Sequence, residues 1–489
     1  MLKSSVIGAL MFSLLTVFVI FVPSQPSFLA YAAGTGAALI IIIHFTISAH
    51  TRKKRAGKAA LLISMFSLSF LFILLPVFFA AALYFWGSLS FFSWMLVISL
   101  SVVFYINFLC IPLAIYQKHR ELKQSASLDY FPSVSILIPA YNEEKVLRRA
   151  IETTIEAAYP ANKEIIIIDD GSTDMTYAIA QEYINKGIKV IHRPNGGKAV
   201  AINHGLRFAQ GEIIIIVDAD SLVGKNTLIE LMQPLRDPDI AAVAGNIKVL
   251  NRTNWLTRCQ ALEYIASINI YRRALDVFGS VTVVPGALGA YRREVLEGSG
   301  LYDPDTLVED FDVTMKTLKT GKVVQASTKA IAYTEAPQTL RDLIKQRLRW
   351  YRGNFQALWK HRDAAFNARY GFLQKLAFPF MVVSMVFTPF AGMITIISAI
   401  MAIASGAGLM LLPTFIYFCL LQFLLSLLAI ELDNEDIKLT LYTPLFIFGY
   451  KQLCDFTMIK GLFDVVSHRG LKWTNVRRIG ARVSKSALS

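Results

Sequence analysis

The sequence predicts an α/β domain with a mostly parallel sheet, carried between two groups of membrane-spanning helices. Two observations set the sheet. Residues 164–168 and 212–217 are isoleucine-rich runs that end in Asp169-Asp170-Gly171 and Asp218-Ala219-Asp220. Unbroken β-branched runs suit strands buried on both faces of a parallel sheet, and the carboxyl ends of such strands are where open α/β sheets bind ligands. A third observation sets the frame: long uncharged stretches lie before and after this region.

The 489 residues are 54% hydrophobic, with a mean hydropathy of +0.48. Stretches at about 4–22, 27–49, 59–86 and 88–116, and two more within 376–430, are each long enough to cross a hydrocarbon core of roughly 30 Å. Buried helices of a soluble core rarely lack charge over ~20 residues. Lys3 before an apolar run also suits a signal peptide, but a second full-length span follows at once and favours a retained helix. The basic loops at 51–58 and 117–123 place the middle of the chain in the cytoplasm by the positive-inside rule. The net charge of +14 is largely accounted for by these flanks, and no nucleic-acid recognition motif accompanies it. Cys110, Cys259, Cys419 and Cys454 stand singly, which indicates neither a disulfide framework nor a zinc site.

The soluble region opens with a strand at 133–138, followed by Pro139-Ala140-Tyr141-Asn142-Glu143 and a helix carrying Val146, Leu147, Ile151 and Ile155 at helical spacing. Strands ending at Asp169, near Ile191 and at Asp218 alternate with helical patterns, so helices are expected on both faces. No G-x-G-x-x-G follows the first strand, which excludes a dinucleotide fingerprint. Residues 340–376 are rich in Arg, Lys, Trp, Tyr and Phe with helical periodicity, a composition suited to helices at a membrane surface and equally to an ordinary amphipathic helix.

Two carboxylates one residue apart, Asp218 and Asp220, supply hard oxygen ligands for Mg2+ or Mn2+, which completes its shell with water and phosphates. Strand-end acids also cap following helices. What separates the two readings is the company these acids keep. Ala140-Tyr141-Asn142-Glu143, Asp169-Asp170-Gly171-Ser172, Asp218-Ala219-Asp220, Val308-Glu309-Asp310 and Gln346-Arg347-Leu348-Arg349-Trp350 follow in that order. The set resembles the membrane-embedded, inverting family-two glycosyltransferases, which include cellulose, chitin, hyaluronan and poly-N-acetylglucosamine synthases. It covers roughly 130–355 plus the membrane frame, and the last motif reads as the family's Q-x-x-R-W.

The resemblance implies a nucleotide-diphospho-sugar transferase (GT-A) domain inserted in a transmembrane helical bundle. It places Ala140, Tyr141, Glu143 and Asp170 around the uridine and Lys198 near the diphosphate, where a helix-start lysine in solvent is the alternative. Asp218 and Asp220 correspond to the D-x-D that binds donor and metal. Asp310 corresponds to the general base and Glu309 to a positioning acid, although Val308 stands where the family has threonine. A solvated helix start is the alternative for Glu309, Asp310 and Asp312. Gln346, Arg349 and Trp350 share one face of a helix; Arg349 is expected on the diphosphate and Trp350 against the acceptor sugar. Gly286 and Gly289 resemble the acceptor-side loop, where glycine lets backbone approach a sugar.

The chain therefore reads as four transmembrane helices in 1–118, a transferase domain in 130–338, interface helices in 339–376, further transmembrane helices in 377–466 and a basic tail in 467–489. Within 439–466, Lys451, Asp455, Lys460 and Asp464 favour a re-entrant or surface segment over a span. The expected partners are a UDP-sugar donor, a glycan acceptor and the lipid bilayer of the plasma membrane, with no nucleic acid; accessory subunits are not readable. The expected activity is processive, inverting synthesis of a β-linked polysaccharide coupled to its secretion. Transfer of one sugar to a lipid acceptor is the nearest rival, and a transporter or channel with a regulatory nucleotide-binding domain is a rival of another class.

Overall fold

The computed structural model describes residues 95, 99, 110–121, 129–406, 408–469 and 480. The spans expected at 4–22, 27–49 and 59–86, most of that at 88–116 and most of the basic tail lie outside the described residues. Among those described, one helical stretch, Leu373–Met401, is long and apolar enough to cross a membrane, and Gln422–Leu432 is a shorter apolar helix. These helices alone do not make the expected bundle. The chain divides into two compact units. One combines 1–116 with 387–425, and within it Thr395 Oγ1 donates to Ser99 Oγ at 2.9 Å. The other combines 117–386 with 426–489 and carries the sheet.

That sheet has eight strands: β1 (Val134–Ala140), β2 (Lys163–Asp169), β3 (Lys189–His192), β4 (Ile213–Ile216), β5 (Ser221–Val223), β6 (Ile240–Val249), β7 (Gly289–Arg292) and β8 (Val323–Thr334). Their spatial order is β3-β2-β1-β4-β7-β6-β8-β5. The first four are parallel to one another. The other half is mixed rather than parallel: β7 runs antiparallel to β4 and β6, and β5 antiparallel to β8. Short alternating strands such as β7 carry no isoleucine run, so the mixed half left little trace in the composition.

Helices α1 (Leu147–Glu156), α2 (Thr176–Gln181), α3 (Lys198–Leu206) and α4 (Thr227–Met232) follow β1, β2, β3 and β5. After β6 come α5 (Trp255–Glu263), a π-helical turn at Tyr264–Asn269 and α6 (Ile270–Asp276). Between β7 and β8 lie α7 (Arg293–Gly298) and α8 (Glu309–Lys319), and α9 (Leu340–Lys360) follows β8. The remaining helices are α10 (Phe378–Val382), α11 (Thr388–Ala404), α12 (Gly408–Leu432), α13 (Thr443–Leu445) and α14 (Lys451–Val466).

Alternate side chains of a strand point to opposite faces, so a run of isoleucines needs cover on both. It has that cover: Leu137, Ile166, Ile168, Ile214 and Ile216 join one buried cluster, while Ile136, Ile138, Ile165, Ile167, Ile213 and Ile215 join a second. Each fully buried side chain of this kind stabilises by roughly 1.5–3 kcal/mol. Lys163, at the start of β2, turns back to donate to the carbonyls of Thr154, Ile155 and Ala157 at the end of α1. A cation there complements the helix dipole and satisfies carbonyls that the helix leaves open.

A buried polar network ties two flanking segments to β6 and α6. Arg273, 2% exposed, donates to Gln117 Oε1 at 2.8 Å and to the Leu432 carbonyl and Asp433 Oδ1, each at 3.3 Å. Asn246 and Asn269 also donate to Asp433, at 3.2 Å each. Arg252 grips Glu435 with two hydrogen bonds of 2.6 and 3.0 Å, and Lys248 lies 3.0 Å from the same carboxylate. Helix α14 packs along α9, where Arg352 Nε donates to Asp464 Oδ2 at 3.0 Å.

Burial alone would raise the Glu435 carboxyl, but Arg252 and Lys248 overcome it and hold the group down at about 2. A depressed folded-state value means stabilisation that is complete above the unfolded value near 4.5 and lost as pH falls towards 2. Glu435→Gln is therefore expected to cost on the order of 1–3 kcal/mol at pH 7. Thermal melts in detergent at several pH values check this: the gap from wild type should narrow below about pH 4.5.

Candidate functional site

The carboxyl ends of β1, β2 and β4 meet because these strands are parallel neighbours, with Ala140 paired to Asp169. Two turns are sewn together there. Asn142 takes a left-handed backbone with φ of 56°, its N–H donates to Ser172 Oγ at 3.0 Å, and its Oδ1 accepts from the Thr173 N–H at 2.8 Å. The Glu143 N–H donates to Thr176 Oγ1 at 2.7 Å. These bonds hold Tyr141 and Glu143, both partly exposed, beside the D-D-G turn. Ala140 itself is buried.

Asp169 is fully buried and its Oδ2 lies 2.7 Å from His192 Nδ1. Asp170 faces the next loop. Its carboxylate accepts the Gly196 N–H at 3.1 Å and the Gly197 N–H at 2.7 Å and is paired with Arg193. Burial pushes its pKa up, against the pull of these amides and of Arg193. Gly197 has a φ of 88°, a left-handed conformation that glycine adopts without steric cost, and α3 begins at the following residue, Lys198. The Asp170 contacts thus fix where Lys198 emerges. The motifs did not single out Arg193, Gly196 or Gly197 for this service; only the spatial meeting of the two loops reveals it.

Lys198 is the centre of the site. Its Nζ lies 2.6 Å from Asp218 Oδ1 and 2.7 Å from Glu309 Oε1. Burial alone would lower its pKa, but Asp218, Glu309 and Asp310 together raise it above the ordinary lysine value. This is no lysine loose in solvent. A Cβ at Gly286 would run into the ammonium and come within 3.4 Å of Asp218 Oδ1, so a side chain on this part of the 284–289 loop would push the end of Lys198 from its present place. At Gly289 a Cβ would strike Val284 of the same loop.

The Gly286 N–H donates to Asp310 Oδ2 at 3.3 Å, and the Phe311 N–H to Asp310 Oδ1 at 2.8 Å. Burial, then the neighbouring Glu309 carboxylate, push Asp310 up to about 6, with Lys198 and the two amides opposing. A carboxyl raised to this level is suited to taking up a proton near neutral pH. Asp312 is fully buried rather than solvated, held by His361 Nε2 at 2.9 Å and Lys360 Nζ at 3.0 Å. Val308 also has an evident role: it packs on Gly353, where a Cβ would sit 2.7 Å from Val308 Cγ1. The methyls of Val308 thus face the helix α9.

On α9, Gln346 is 6% exposed and its Oε1 finds no donor among the described residues. Arg349 and Trp350 are half-buried on the same helix. Arg347, between them, is buried; it lies 2.5 Å from Glu263 Oε2, which also accepts from the Tyr450 hydroxyl at 2.5 Å. Its guanidinium stacks 4.5 Å from the centre of the Trp350 ring. One face of that indole is therefore covered by Arg347.

Asp220 is 6% exposed and lies next to β5, with Ser221 Oγ 3.4 Å from its Oδ1. Asp218 and Asp220 offer the hard, paired carboxylate oxygens that a divalent cation takes alongside phosphate and water. Among the described residues, Asp303, Asp305 and Asp312 also bring three carboxylate oxygens within 4.8 Å of one another. That trio already surrounds Lys360 Nζ, at 2.7, 2.8 and 3.0 Å. It is a charge-compensated knot, and we favour the D-x-D pair as the cation site.

Residues 135–300 match the model of the family described as Glycosyl transferase family 2. A poly-beta-1,6-N-acetyl-D-glucosamine synthase of Staphylococcus epidermidis is 28% identical over 243 residues, 49% of this chain and 59% of the relative. The synthase of the same name from Staphylococcus aureus strain COL is 30% identical over 241 residues, 48% of this chain and 58% of the relative. The chain thus spans less than two thirds of the length of the curated relatives it matches. A mannosyltransferase from Pyrobaculum calidifontis, solved with GDP-Man and Mn2+, superposes with a TM-score of 0.52 at 20% identity, over 76% of this chain and 100% of its own. That likeness is one of fold.

The Val308–Gly353 contact fixes the approach of α8 to α9. Gly353→Val should wedge the two apart at a cost of about 1–3 kcal/mol, lowering the thermal midpoint in detergent. Shrinking the partner by Val308→Ala in the same protein should recover part of the loss; additive losses would mean that the two residues do not share the contact.

Proposed function

We propose that this chain, whose residues 135–300 form a family-two glycosyltransferase domain, is an inverting enzyme of a plasma membrane. It adds sugar from a UDP donor, with N-acetylglucosamine as the favoured sugar, to a growing β-linked chain. The single observation that carries the reading is the knot of Lys198, Asp218, Glu309 and Asp310 beside the Gly286 amide. The names of the relatives support polysaccharide synthesis and the choice of donor.

In this reading Tyr141 and Glu143 border the uridine, on the turn that Ala140 begins, while Asp170 anchors the loop that presents Lys198 to the diphosphate. Asp218 and Asp220 would hold Mg2+ or Mn2+, which when bound offsets the charge that builds on the leaving nucleoside diphosphate. Lys198 then turns from Asp218 towards phosphate, and Arg349 adds a second cation. Asp310 takes the proton from the acceptor hydroxyl as that oxygen attacks the anomeric carbon and the bond to diphosphate breaks. One displacement needs one base and inverts the centre, so an α-linked donor yields a β-linkage.

The buried Gln346 Oε1 awaits a donor, which an acceptor hydroxyl supplies. The face of Trp350 turned away from Arg347 supplies the apolar platform for the acceptor ring, and Gly286 and Gly289 let the loop approach it. Exposed Trp359, Phe366 and Phe372 near Arg362, Arg369 and Lys375 support seating of 359–375 at a lipid surface. Retention of the product and its passage through several transmembrane helices follow from the sequence reading, because sugar hydroxyls crossing a bilayer need a polar path.

The raised Asp310 makes a signed prediction. A base must be deprotonated, so kcat/KM should rise with pH through a midpoint near 6 rather than near 4. Asp310→Asn should lose at least about 10²-fold in turnover, with Mn2+-dependent UDP binding retained. Radiolabelled UDP-sugars supplied to membranes, with release of UDP and product size recorded, test this and the donor together; an Asp310→Asn enzyme of normal rate would remove the base.

Trp350→Ala should abolish most polymer formation while UDP and metal still bind. Sizing the products in acceptor excess checks it: long chains from the wild type support a retained acceptor, and a single sugar on lipid supports the non-processive rival.

A further inference from the structure

Asp310 is positioned by a residue one helical turn away that no motif marks. Thr314 is buried on α8. Its Oγ1 lies 2.6 Å from the Asp310 carbonyl, 3.0 Å from the Val284 N–H and 3.4 Å from the Tyr291 hydroxyl. A threonine hydroxyl has one proton and two lone pairs. The carbonyl and the amide leave no choice of role: the proton goes to Asp310 O, one lone pair accepts from Val284, and Tyr291 is left as the donor to the other. Every hydrogen-bonding capacity of the group is used, in a site where an orphaned partner is costly.

The two backbone groups held by this hydroxyl belong to the two sides of the same contact. One is the main chain of Asp310. The other begins Val284-Pro285-Gly286, and the Gly286 N–H donates to Asp310 Oδ2. Pro285 fixes its own φ and accepts the Leu288 N–H at 3.1 Å, so a displacement at Val284 carries through to Gly286. Leu288 in turn accepts the Gly245 N–H at 3.0 Å, which moors the far side of the loop to the segment of β6. Tyr291, on β7, adds a third support from the sheet and is braced edge-on by Tyr302 at 6.3 Å between ring centres. Asn203 of α3 holds Tyr302 by two backbone bonds of 2.7 and 3.1 Å.

We infer that Thr314 is a positioning residue for the transfer reaction: its hydroxyl clamps the 284–286 loop to the Asp310 turn of α8 and so sets the Gly286 amide against the carboxylate that serves as base. This rests on the reading of Asp310 as the base. Lys198 and Asp218, on the donor side, make none of the three bonds of this hydroxyl.

Thr314→Val keeps the shape and removes all three bonds, Thr314→Ala does so with a smaller side chain, and Thr314→Ser keeps the hydroxyl. The variants are assayed in membranes with UDP-N-acetylglucosamine and Mn2+, next to Asp310→Asn and the Thr314→Val/Asp310→Asn pair, with UDP binding measured by calorimetry. Valine and alanine should each lower kcat at least about 10-fold with donor KM and UDP affinity unchanged, and serine should restore turnover to within about threefold. In the Asp310→Asn background, Thr314→Val should cost nothing further, because the residue acts through that carboxylate. A wild-type rate in Thr314→Val, an undiminished loss in the Asp310→Asn background, or UDP affinity that falls in step with kcat overturns the inference. If Asp310→Asn is inactive and Thr314→Val is normal, the clamp alone fails; if Asp310→Asn turns over normally, the assignment of the base fails and the clamp with it.

Discussion

The ammonium of Lys198, set between Asp218 and Glu309 with Asp310 beyond, is the interaction on which the site depends. Three carboxylates from two separate segments repel one another, and in a partly dry cleft that repulsion is poorly screened. A cation at their centre makes the cluster tolerable. The main-chain position the lysine leaves from is held by several bonds: Asp170, Arg193 and the paired glycines set the start of α3. The 284–289 loop comes close to the same ammonium, and a side chain at Gly286 would displace it from its place between the acids.

A second constraint is that the acids must arrive from both sides of the molecule. Asp218 comes from the parallel half of the sheet, whereas Glu309 and Asp310 come from a helix beyond the antiparallel strand β7. The 284–289 loop leading into β7 joins the halves, and its amide reaches the Asp310 carboxylate. Helix α9, which carries the Q-x-x-R-W residues, is brought up against the start of α8 through the Val308–Gly353 contact. Behind it, the Glu263, Arg347 and Tyr450 group and the Arg352–Asp464 pair fasten α9 to its neighbours.

The buried charges away from the site serve orientation more than net stability. Desolvating Arg273, Asp433, Lys248 and Glu435 costs several kcal/mol per ion and is only offset by good geometry. Here the partners are numerous and directional, and they join residues 117–121 and 432–435 to β6, α6 and β8. Apolar contact would tolerate sliding between these segments; bidentate and convergent hydrogen bonds do not.

The chain's pattern by itself determined the parallel half of the sheet, the strand-end acids, the ordered motifs and the amphipathic character of 340–376. Those features are local: isoleucine runs require two covered faces, and each motif is a few adjacent residues. Tertiary structure alone decided which carboxylate met which cation. That Asp170 faces Gly196 and Gly197, that Lys198 bridges Asp218 and Glu309 across 91 positions between residues 218 and 309, and that Thr314 joins Val284 to Asp310 are consequences of strand order and loop packing. The antiparallel placement of β7 and the role of Arg347 behind Trp350 belong to the same class. Hydrogen bonds and ion pairs act over about 3 Å in space, whereas spacing along a chain constrains only what lies within a turn or a strand.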